Sequence, residues 1–138
     1  MIVTLDTIQP IATTIAQSLT RGDVITLDGD LGTGKTTWVQ SIAHALNCTD
    51  SVTSPSYALV NQYQSSIGSI YHLDLYRLDT IEALYSIDID YYLCPPDGIS
   101  LIEWGCRLQS LKPSHCRELR LQYGNKDSER VIDIHPSL

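Results

Sequence analysis

Residues 27–39, LDGDLGTGKTTWV, combine residue types that bind phosphate. Three glycines fall within residues 29–34, and Lys-Thr-Thr follows them directly. Glycine permits backbone angles that a side chain forbids, so successive N–H groups can turn inward and form a concave anion site. A helix beginning near Lys35 adds the positive end of its dipole. The stretch therefore predicts a loop that holds nucleotide phosphates.

Residues 29–36 match G-x-x-x-x-G-K-[ST], the pattern of the P-loop. In this pattern the Lys35 ammonium reaches the β- and γ-phosphates, the Thr36 hydroxyl binds Mg²⁺, and Thr37 is placed to reach the α-phosphate. A glycine-rich turn that only caps a helix is the alternative, but an apolar strand before the loop and an amphipathic helix after it favour the P-loop. The sequence contains no N-K-x-D-type stretch that would read guanine, which favours ATP over GTP.

A P-loop enzyme also needs an acidic group at the end of a neighbouring strand to hold Mg²⁺ or its waters. Glu103 ends the apolar stretch ISLIE, and Asp74 lies in IYHLDLYR on a strand face shared with His72 and Tyr76. Glu103 could instead be an ordinary strand-end carboxylate, and Asp74 could form an ion pair with Arg77 or His72. These two carboxylates are the candidates for the metal site.

Two neighbouring features have more than one interpretation. Trp104 directly follows Glu103, and periodicity does not decide between a core position and one against the site. Ser54, Ser56 and Tyr57 in TSPSY follow the P-loop helix, where many nucleotide-binding proteins place a switch loop that responds to the γ-phosphate. A proline-containing connecting loop explains the same stretch equally well.

The elements that must position these residues alternate between strands and helices. Predicted strands cover residues 1–5, 24–27, 57–63, 69–78, 99–104, 118–123 and 130–134, and predicted helices cover 10–19, 35–46 and 79–87. Pro10 is assigned to the first turn of its helix. Buried apolar strands alternating with helices predict an α/β sheet with helices on both faces, and the last two strands predict a terminal hairpin.

Composition excludes several classes of protein. The chain has 138 residues, 43% of them hydrophobic, which predicts one globular domain over residues 1–138. Its net charge of −7 argues against a protein that binds nucleic acid without a partner. Without a secretory signal or an apolar run of about 18 residues, we expect a cytoplasmic protein and no membrane span. The cysteines should stay reduced. No zinc is expected, because the one candidate set of ligands fits no common zinc-site spacing: Cys94, Cys106, His115 and Cys116.

Four segments together resemble the TsaE family, also called YjeE: GDLGTGKTTWVQSIAHAL, VTSPSYALVNQY, YHLDLYRL and LIEWG. They occur in the order and at roughly the spacing of the family's G-D-L-G-A-G-K-T-T, S-P-T-[FY], H-x-D-x-Y-R and E-W motifs. Very many proteins share a P-loop alone, whereas this succession is much more specific. The resemblance extends over residues 15–107.

The resemblance implies a small Mg²⁺-dependent ATPase required to form the threonylcarbamoyl group on the adenosine next to the anticodon of tRNAs that read codons beginning with A. It implies two protein partners, TsaB and TsaD, of which TsaD contains the transferase centre. ATP hydrolysis, weak in the isolated chain, would reset that complex between turnovers. The tRNA would be reached only through the complex, which agrees with an acidic chain. The implied fold is a three-layer P-loop NTPase sandwich with a mostly parallel sheet and an antiparallel C-terminal hairpin.

Carried over by position, the resemblance also implies roles for individual residues. Thr36 and Glu103 would ligate Mg²⁺, while Lys35 and Asp74 would be catalytic, with Asp74 orienting the attacking water. The N-terminal segment would flank the adenine. The residues implied to contact or adjoin the nucleotide are Leu31, Gly32, Thr33, Gly34, Lys35, Thr36, Thr37 and Trp104.

Three positions depart from the family pattern. Thr33 replaces a common alanine, and Ser56 replaces the usual threonine but keeps the hydroxyl. Asp88 stands where glycine is frequent, and aspartate adopts the left-handed conformation more readily than most residues. The terminal segments match loosely, so the resemblance assigns neither the adenine contacts nor a role for Arg130.

Two other functions fit a P-loop in an α/β chain. A small-molecule kinase needs an acceptor pocket and a lid, commonly with arginines, yet only Arg117 and Arg120 lie close together, in a predicted strand. A nucleotide-gated interaction module would use ATP to switch a protein interface, with hydrolysis incidental. Dependence of ATP consumption on partners and on Asp74 distinguishes these functions.

Overall fold

The computed structural model describes residues 1–55 and 58–137, and within them one seven-stranded sheet lies between two layers of helices. The strands are β1 (Ile2–Val3), β2 (Val24–Asp28), β3 (Val60–Ser65), β4 (Gly68–Asp74), β5 (Gly98–Glu103), β6 (Arg117–Tyr123) and β7 (Arg130–His135). The helices are α1 (Leu5–Gln17), α2 (Lys35–Ala45), α3 (Ile81–Tyr85) and α4 (Ile89–Tyr92), and a 3₁₀ segment spans Gly105–Leu111.

The strand order is β1-β7-β6-β2-β5-β4-β3. The four central strands, β6, β2, β5 and β4, are parallel to one another. β7 is antiparallel to β6 and β1 at one edge, and β3 is antiparallel to β4 at the other. The predicted α/β fold with its antiparallel C-terminal hairpin is therefore confirmed. The sheet also has a second antiparallel hairpin, β3–β4.

Alternating apolar residues on the central strands supply a core on each face of the sheet. Ile25 and Leu101 belong to the buried cluster beneath α1 and α2. Val24 and Ile102 belong to the cluster beneath α3, α4 and the 3₁₀ segment. Because neighbouring residues of one strand join opposite clusters, helices cover both faces, as the sequence predicts.

The first helix begins at Leu5, so the prediction that it starts at Pro10 is wrong. The Thr4 N–H donates to Thr7 Oγ1 at 2.8 Å, which caps the helix earlier than the sequence suggested. Pro10 lies inside the helix and cannot donate to the carbonyl four residues before it. Burial of Ile8 against α2 and the sheet favours the longer helix despite that lost hydrogen bond.

Two short elements were not predicted. α4 has four residues and the 3₁₀ segment has seven, which is too short for a clear apolar period. The predicted helix at 79–87 is shorter in the structure, where the Thr80 hydroxyl accepts a hydrogen bond from the Ala83 N–H at 3.1 Å and caps α3. Asp88 adopts a left-handed φ of 56°, so aspartate supports the turn where the family often has glycine.

No helix in the described part of the chain has the length and apolar character needed to cross a membrane.

Candidate functional site

The glycine-rich loop lies between the end of β2 and the start of α2, above the carboxyl ends of the parallel strands. Gly32 and Gly34 have φ values of 79° and 102°, which favour glycine because the left-handed region is strained for other residues. Gly34 directly precedes α2, so the free N–H groups of its first turn adjoin the loop. This is the geometry of an anion site at a helix N-terminus.

A cavity of about 530 Å³ adjoins this loop. It brings together most of the predicted P-loop residues, though not Thr33, and the two predicted carboxylates from β4 and β5. Ser54 also reaches it, whereas Ser56 and Tyr57 lie outside the described residues. The residues that line it are Leu31, Gly32, Gly34, Lys35, Thr36, Thr37, Ser54, Asp74, Tyr76, Arg77, Glu103 and Trp104.

Lys35 is a buried cation beneath the loop, with only 6% of its surface exposed. Its Nζ donates to the carbonyl oxygens of Gly29 at 2.6 Å and Asp30 at 3.0 Å, and lies 4.5 Å from the centre of the Trp104 ring. Burial lowers the pKa of Lys35, although nearby carboxylates, Glu103 first, oppose that shift. The ammonium group is thus held by neutral acceptors in a place that suits an anionic ligand.

Thr36 and Glu103 meet at the base of the cavity. The Thr36 hydroxyl lies 2.9 and 3.1 Å from the two carboxylate oxygens of Glu103. His72 Nε2 lies 2.6 Å from Glu103 Oε2, and both side chains are buried. Hydroxyl and carboxylate oxygens are ligands that Mg²⁺ prefers, so the donor set fits this ion.

Asp74 ends β4, and in the β4–β5 register it is the partner of Glu103. Its Oδ1 accepts the Tyr76 N–H at 3.0 Å. Burial raises the pKa of Asp74; the Tyr76 hydrogen bond opposes the shift, and the nearby Glu103 charge adds to it. His72, one candidate partner of Asp74 in the sequence, contacts Glu103 instead. Asp74 therefore presents a half-buried carboxyl group to the cavity.

Trp104 lies against the site. Its backbone has a left-handed φ of 59°, unusual for a bulky residue. Its ring lies 4.9 Å from that of Tyr76, and the Arg107 guanidinium lies 5.7 Å from the Trp104 ring centre. Sequence reasoning missed Tyr76 and Arg77 as residues that line the cavity. For Tyr76 a signal existed, because it shares a predicted strand face with Asp74.

A second cavity of about 450 Å³ lies on the other side of the glycine-rich loop. Thr37 lines both cavities, whereas Thr33 lines only this one and donates its hydroxyl to the Asp30 carbonyl at 2.8 Å. The remaining walls come from the N-terminal segment and the C-terminal hairpin. The lining residues are Val3, Thr4, Leu5, Asp6, Ile8, Gly32, Thr33, Gly34, Thr37, Trp38, Asp127, Ser128 and Arg130.

The C-terminal hairpin also contacts the loop directly. Arg130 Nη2 donates to the Gly32 carbonyl at 3.4 Å, and the Tyr123 hydroxyl donates to the Leu31 carbonyl. The Arg130 guanidinium lies 4.9 Å from the Tyr123 ring centre. Sequence reasoning missed Tyr123 and left Arg130 unassigned, because these contacts join residues that are 92 and 98 positions apart in the chain.

Among the described residues 1–55 and 58–137, no group of three or more His, Cys, Asp or Glu side chains is placed to hold a metal ion, and all four cysteines are free. A Mg²⁺ site in a nucleotide-binding protein needs no such group, because phosphates and waters complete the coordination.

Comparison with known proteins identifies relatives. The profile of the family described as "Threonylcarbamoyl adenosine biosynthesis protein TsaE" matches residues 2–132. The tRNA threonylcarbamoyladenosine biosynthesis protein TsaE of Nostoc sp. PCC 7120 is 41% identical over 127 residues, covering 88% of this chain and 75% of the relative. The protein of the same name from Synechocystis sp. PCC 6803 is 42% identical over 99 residues, covering 70% and 63%. The crystal structure of Bacillus subtilis YdiB superposes with a TM-score of 0.77 at 29% identity, covering 94% of this chain and 78% of that one.

The raised pKa of Asp74 leads to a prediction about stability. Asp74→Asn should raise the melting temperature of the nucleotide-free protein at neutral pH, because burial and Glu103 disfavour the charged carboxylate. A raised folded-state pKa means that the wild type regains relative stability as pH falls through that pKa. The advantage of the variant should therefore shrink toward the ordinary titration range of aspartate. Thermal unfolding of both proteins across pH measures this.

Asp79→Asn is the matched control, since it makes the same charge change at an exposed position. An equal rise in the melting temperature of both variants, or a rise that does not depend on pH, would contradict the conclusion that the charged Asp74 carboxylate destabilises the fold.

Proposed function

The chain belongs to the TsaE family, and from this membership we propose that it binds and hydrolyses Mg²⁺–ATP in support of threonylcarbamoyladenosine formation in tRNA. The proposal rests above all on the meeting of Thr36, at the start of α2, with Glu103, at the end of the neighbouring parallel strand. That arrangement joins a phosphate-binding loop to a carboxylate in the manner of P-loop enzymes.

Phosphate binding is proposed for the glycine-rich loop and Lys35. The left-handed Gly32 and Gly34 let backbone N–H groups surround an anion. Lys35 would exchange the carbonyl oxygens of Gly29 and Asp30 for phosphate oxygens. Because burial disfavours its charge, an anionic partner would stabilise Lys35 more than an exposed lysine.

Thr36 and Glu103 are proposed to hold Mg²⁺. The Thr36 hydroxyl and the Glu103 carboxylate are already within 3.1 Å, so the two ligands converge. Mg²⁺ is commonly held by one or two carboxylates together with substrate phosphates, which this pair fits. When bound, the ion would neutralise charge that develops on the β- and γ-phosphate oxygens.

Asp74 is proposed to orient the attacking water. It lines the same cavity as Lys35 and Glu103, and the Tyr76 N–H fixes one of its oxygens. Its raised pKa makes the carboxylate a better proton acceptor than an exposed aspartate. Because phosphoryl transfer depends chiefly on positioning and charge stabilisation, one well-placed acceptor has a large effect.

The second cavity is the proposed adenine site. Thr37 lines both cavities, so a nucleotide whose phosphates lie in the first would pass this residue on its way to the second. Apolar Val3, Leu5 and Ile8 line the second cavity and suit the faces of a base. Trp104 borders the phosphate cavity, where it packs over Lys35.

The proposed partners are the TsaB and TsaD proteins, with tRNA reached only through their complex. TsaD would perform the transfer, and ATP hydrolysis by this chain would reset the complex. A net charge of −7 supports an indirect role, because tRNA binding requires a basic surface that a partner can supply. Because hydrolysis would serve to reset that complex, we expect it to be weak in the isolated chain.

ATP hydrolysis by the purified chain, alone and with TsaB and TsaD, tests this proposal, with and without tRNA. We expect little turnover alone and a clear rise with the partners. Turnover that ignores the partners but rises with a small phosphate acceptor would show a kinase instead. Stimulation of the partners by a non-hydrolysable ATP analogue, as strong as by ATP, would show a nucleotide-gated interaction module.

Lys35→Ala should reduce ATP hydrolysis in the presence of partners by about 10²-fold or more, since a preorganised cation that stabilises transition-state charge has effects of that order. Phosphate release measures the rate. Lys112→Ala is a suitable control because it removes the same charge at a partly exposed ion pair with Glu118. Unchanged turnover in Lys35→Ala would overturn the P-loop assignment.

Asp74→Asn should leave nucleotide affinity within about threefold of the wild type while slowing hydrolysis by about 10²-fold, the usual loss when an acid–base group is removed. Calorimetric titration with ADP and phosphate release with ATP separate the two effects. A large loss of affinity would identify Asp74 as a binding or structural residue.

A further inference from the structure

A chain of buried hydrogen bonds leads from Glu103 away from the cavity. His72 Nε2 lies 2.6 Å from Glu103 Oε2, and His72 Nδ1 lies 3.3 Å from the Tyr63 hydroxyl. The Tyr63 hydroxyl lies 3.1 Å from the Thr53 carbonyl oxygen. His72 is fully buried and Tyr63 is 5% exposed. Two side chains therefore connect Glu103 to the backbone of Thr53.

The donors in this chain can be assigned from chemistry. A carboxylate only accepts hydrogen bonds, so His72 Nε2 donates to Glu103. In the neutral ring Nδ1 is then an acceptor, which the Tyr63 hydroxyl can satisfy. The hydroxyl has one proton, however, and the Thr53 carbonyl is a second acceptor for it. Tyr63 can thus donate to His72 or to the Thr53 carbonyl, but not fully to both at once. Its oxygen meanwhile accepts from the Thr53 N–H at 3.3 Å and from the Asn61 amide at 3.2 Å.

The two ends of this chain differ in how they are held. Tyr63 and His72 lie on β3 and β4, whose ladder pairs Asn61 with His72 and Tyr63 with Ile70. Thr53 lies in residues 51–55, which form neither helix nor strand and are held through side chains. The Gln40 amide donates to the Val52 carbonyl at 3.0 Å, and the Asn61 amide donates to the Thr53 carbonyl at 3.2 Å. A displacement of this segment would act first on the Tyr63 hydrogen bonds.

The same segment reaches the nucleotide cavity, because Ser54 lines it next to Thr53. Contact between Ser54 and a bound nucleotide would therefore change or fix the position of the neighbouring Thr53 carbonyl. The hydrogen-bond chain returns from that carbonyl to Glu103, which lines the same cavity. Residues 51–55 and Glu103 thus have two connections, one through the cavity and one through the sheet.

We propose that Tyr63 and His72 are positioning residues that aim the Glu103 carboxylate at Mg²⁺ and couple it to the position of residues 51–55. The inference rests on the proposed function, in which Glu103 is the metal ligand. When the Tyr63 hydroxyl donates to His72 Nδ1, the imidazole ring is fixed with Nε2–H toward Glu103. When the hydroxyl donates instead to the Thr53 carbonyl, the ring loses that orienting hydrogen bond. By reciprocity, Mg²⁺–nucleotide binding and ordering of residues 51–55 favour each other.

Tyr63→Phe tests this coupling, because it removes the hydroxyl and keeps the ring. Affinity for a fluorescent ADP analogue is measured with Mg²⁺ and with excess EDTA, and hydrogen exchange is followed in peptides that cover residues 51–55. We expect affinity with Mg²⁺ to fall about three- to tenfold, less than the 10–100-fold typical when a direct partner of a metal ligand is lost. Affinity in EDTA should not change, and Mg²⁺–ADP should no longer slow exchange in residues 51–55.

Tyr71→Phe is the matched control. Tyr71 is also a buried tyrosine near this hairpin, on β4, but it packs on the opposite face of the sheet. Its hydroxyl donates to the Asp97 carboxylate at 2.8 and 3.0 Å, away from the cavity. This variant should lose stability while keeping the wild-type ratio of affinities with and without Mg²⁺.

Variants of His72 provide an independent measurement. His72→Leu removes the donor to Glu103 and should weaken Mg²⁺-dependent binding by about 10–100-fold. His72→Gln supplies an N–H donor at similar reach and should recover most of that loss. Recovery by glutamine is not expected if the ring only fills space.

The outcomes separate the inference from the proposed function. Wild-type nucleotide affinity that does not depend on Mg²⁺ would overturn the proposed function and the inference with it. Mg²⁺-dependent binding in the wild type, retained unchanged in Tyr63→Phe and His72→Leu, would overturn the inference alone. Equal weakening of Tyr63→Phe with Mg²⁺ and with EDTA would also overturn it, because the hydroxyl would then be structural.

Discussion

The hydrogen bonds between Thr36 and Glu103 are the constraint on which the site depends. They join the first turn of α2 to the carboxyl end of β5, and they exist because β2 and β5 are parallel with Leu27 opposite Glu103. Parallel strands bring their carboxyl ends to one edge, so the loop after β2 and the side chain that ends β5 must meet. The same register places Asp74 of β4 beside Glu103.

This arrangement places charged groups out of water and two carboxylates side by side, at a cost to the folded state. Burial disfavours the charged forms of both Lys35 and Asp74, and the mutual proximity of Asp74 and Glu103 adds to that cost. An anionic nucleotide with its cation would reduce both costs, because the nucleotide supplies acceptors for Lys35 and the cation supplies a positive charge near the carboxylates. Strain of this kind is typical of functional sites, where local stability is lower than the fold would allow.

The sequence was sufficient for those features that depend on local pattern or strand ends. Residues 29–36 define the P-loop by spacing, and Glu103 and Asp74 follow apolar runs that end at the same sheet edge. Trp104 could not be placed, because its direction depends on a left-handed φ that no periodicity encodes. The contacts of Tyr123 and Arg130 with the loop depend on how distant strands pair. The predicted start of α1 was wrong because the preference of proline for the first turn of a helix was given more weight than the burial of Ile8.

Each key polar group of the site has an internal hydrogen-bond partner. Lys35 donates to the Gly29 and Asp30 carbonyls, Glu103 accepts from Thr36 and His72, and Asp74 accepts from the Tyr76 N–H. Productive binding must therefore exchange or share these hydrogen bonds, and an exchange yields only the difference between two satisfied states. On the proposed function, a site built in this way would turn over slowly in isolation. It would also give a protein partner a physical means of control, because shifting residues 51–55 or the groups around Trp104 would change which hydrogen-bond partner each polar group prefers.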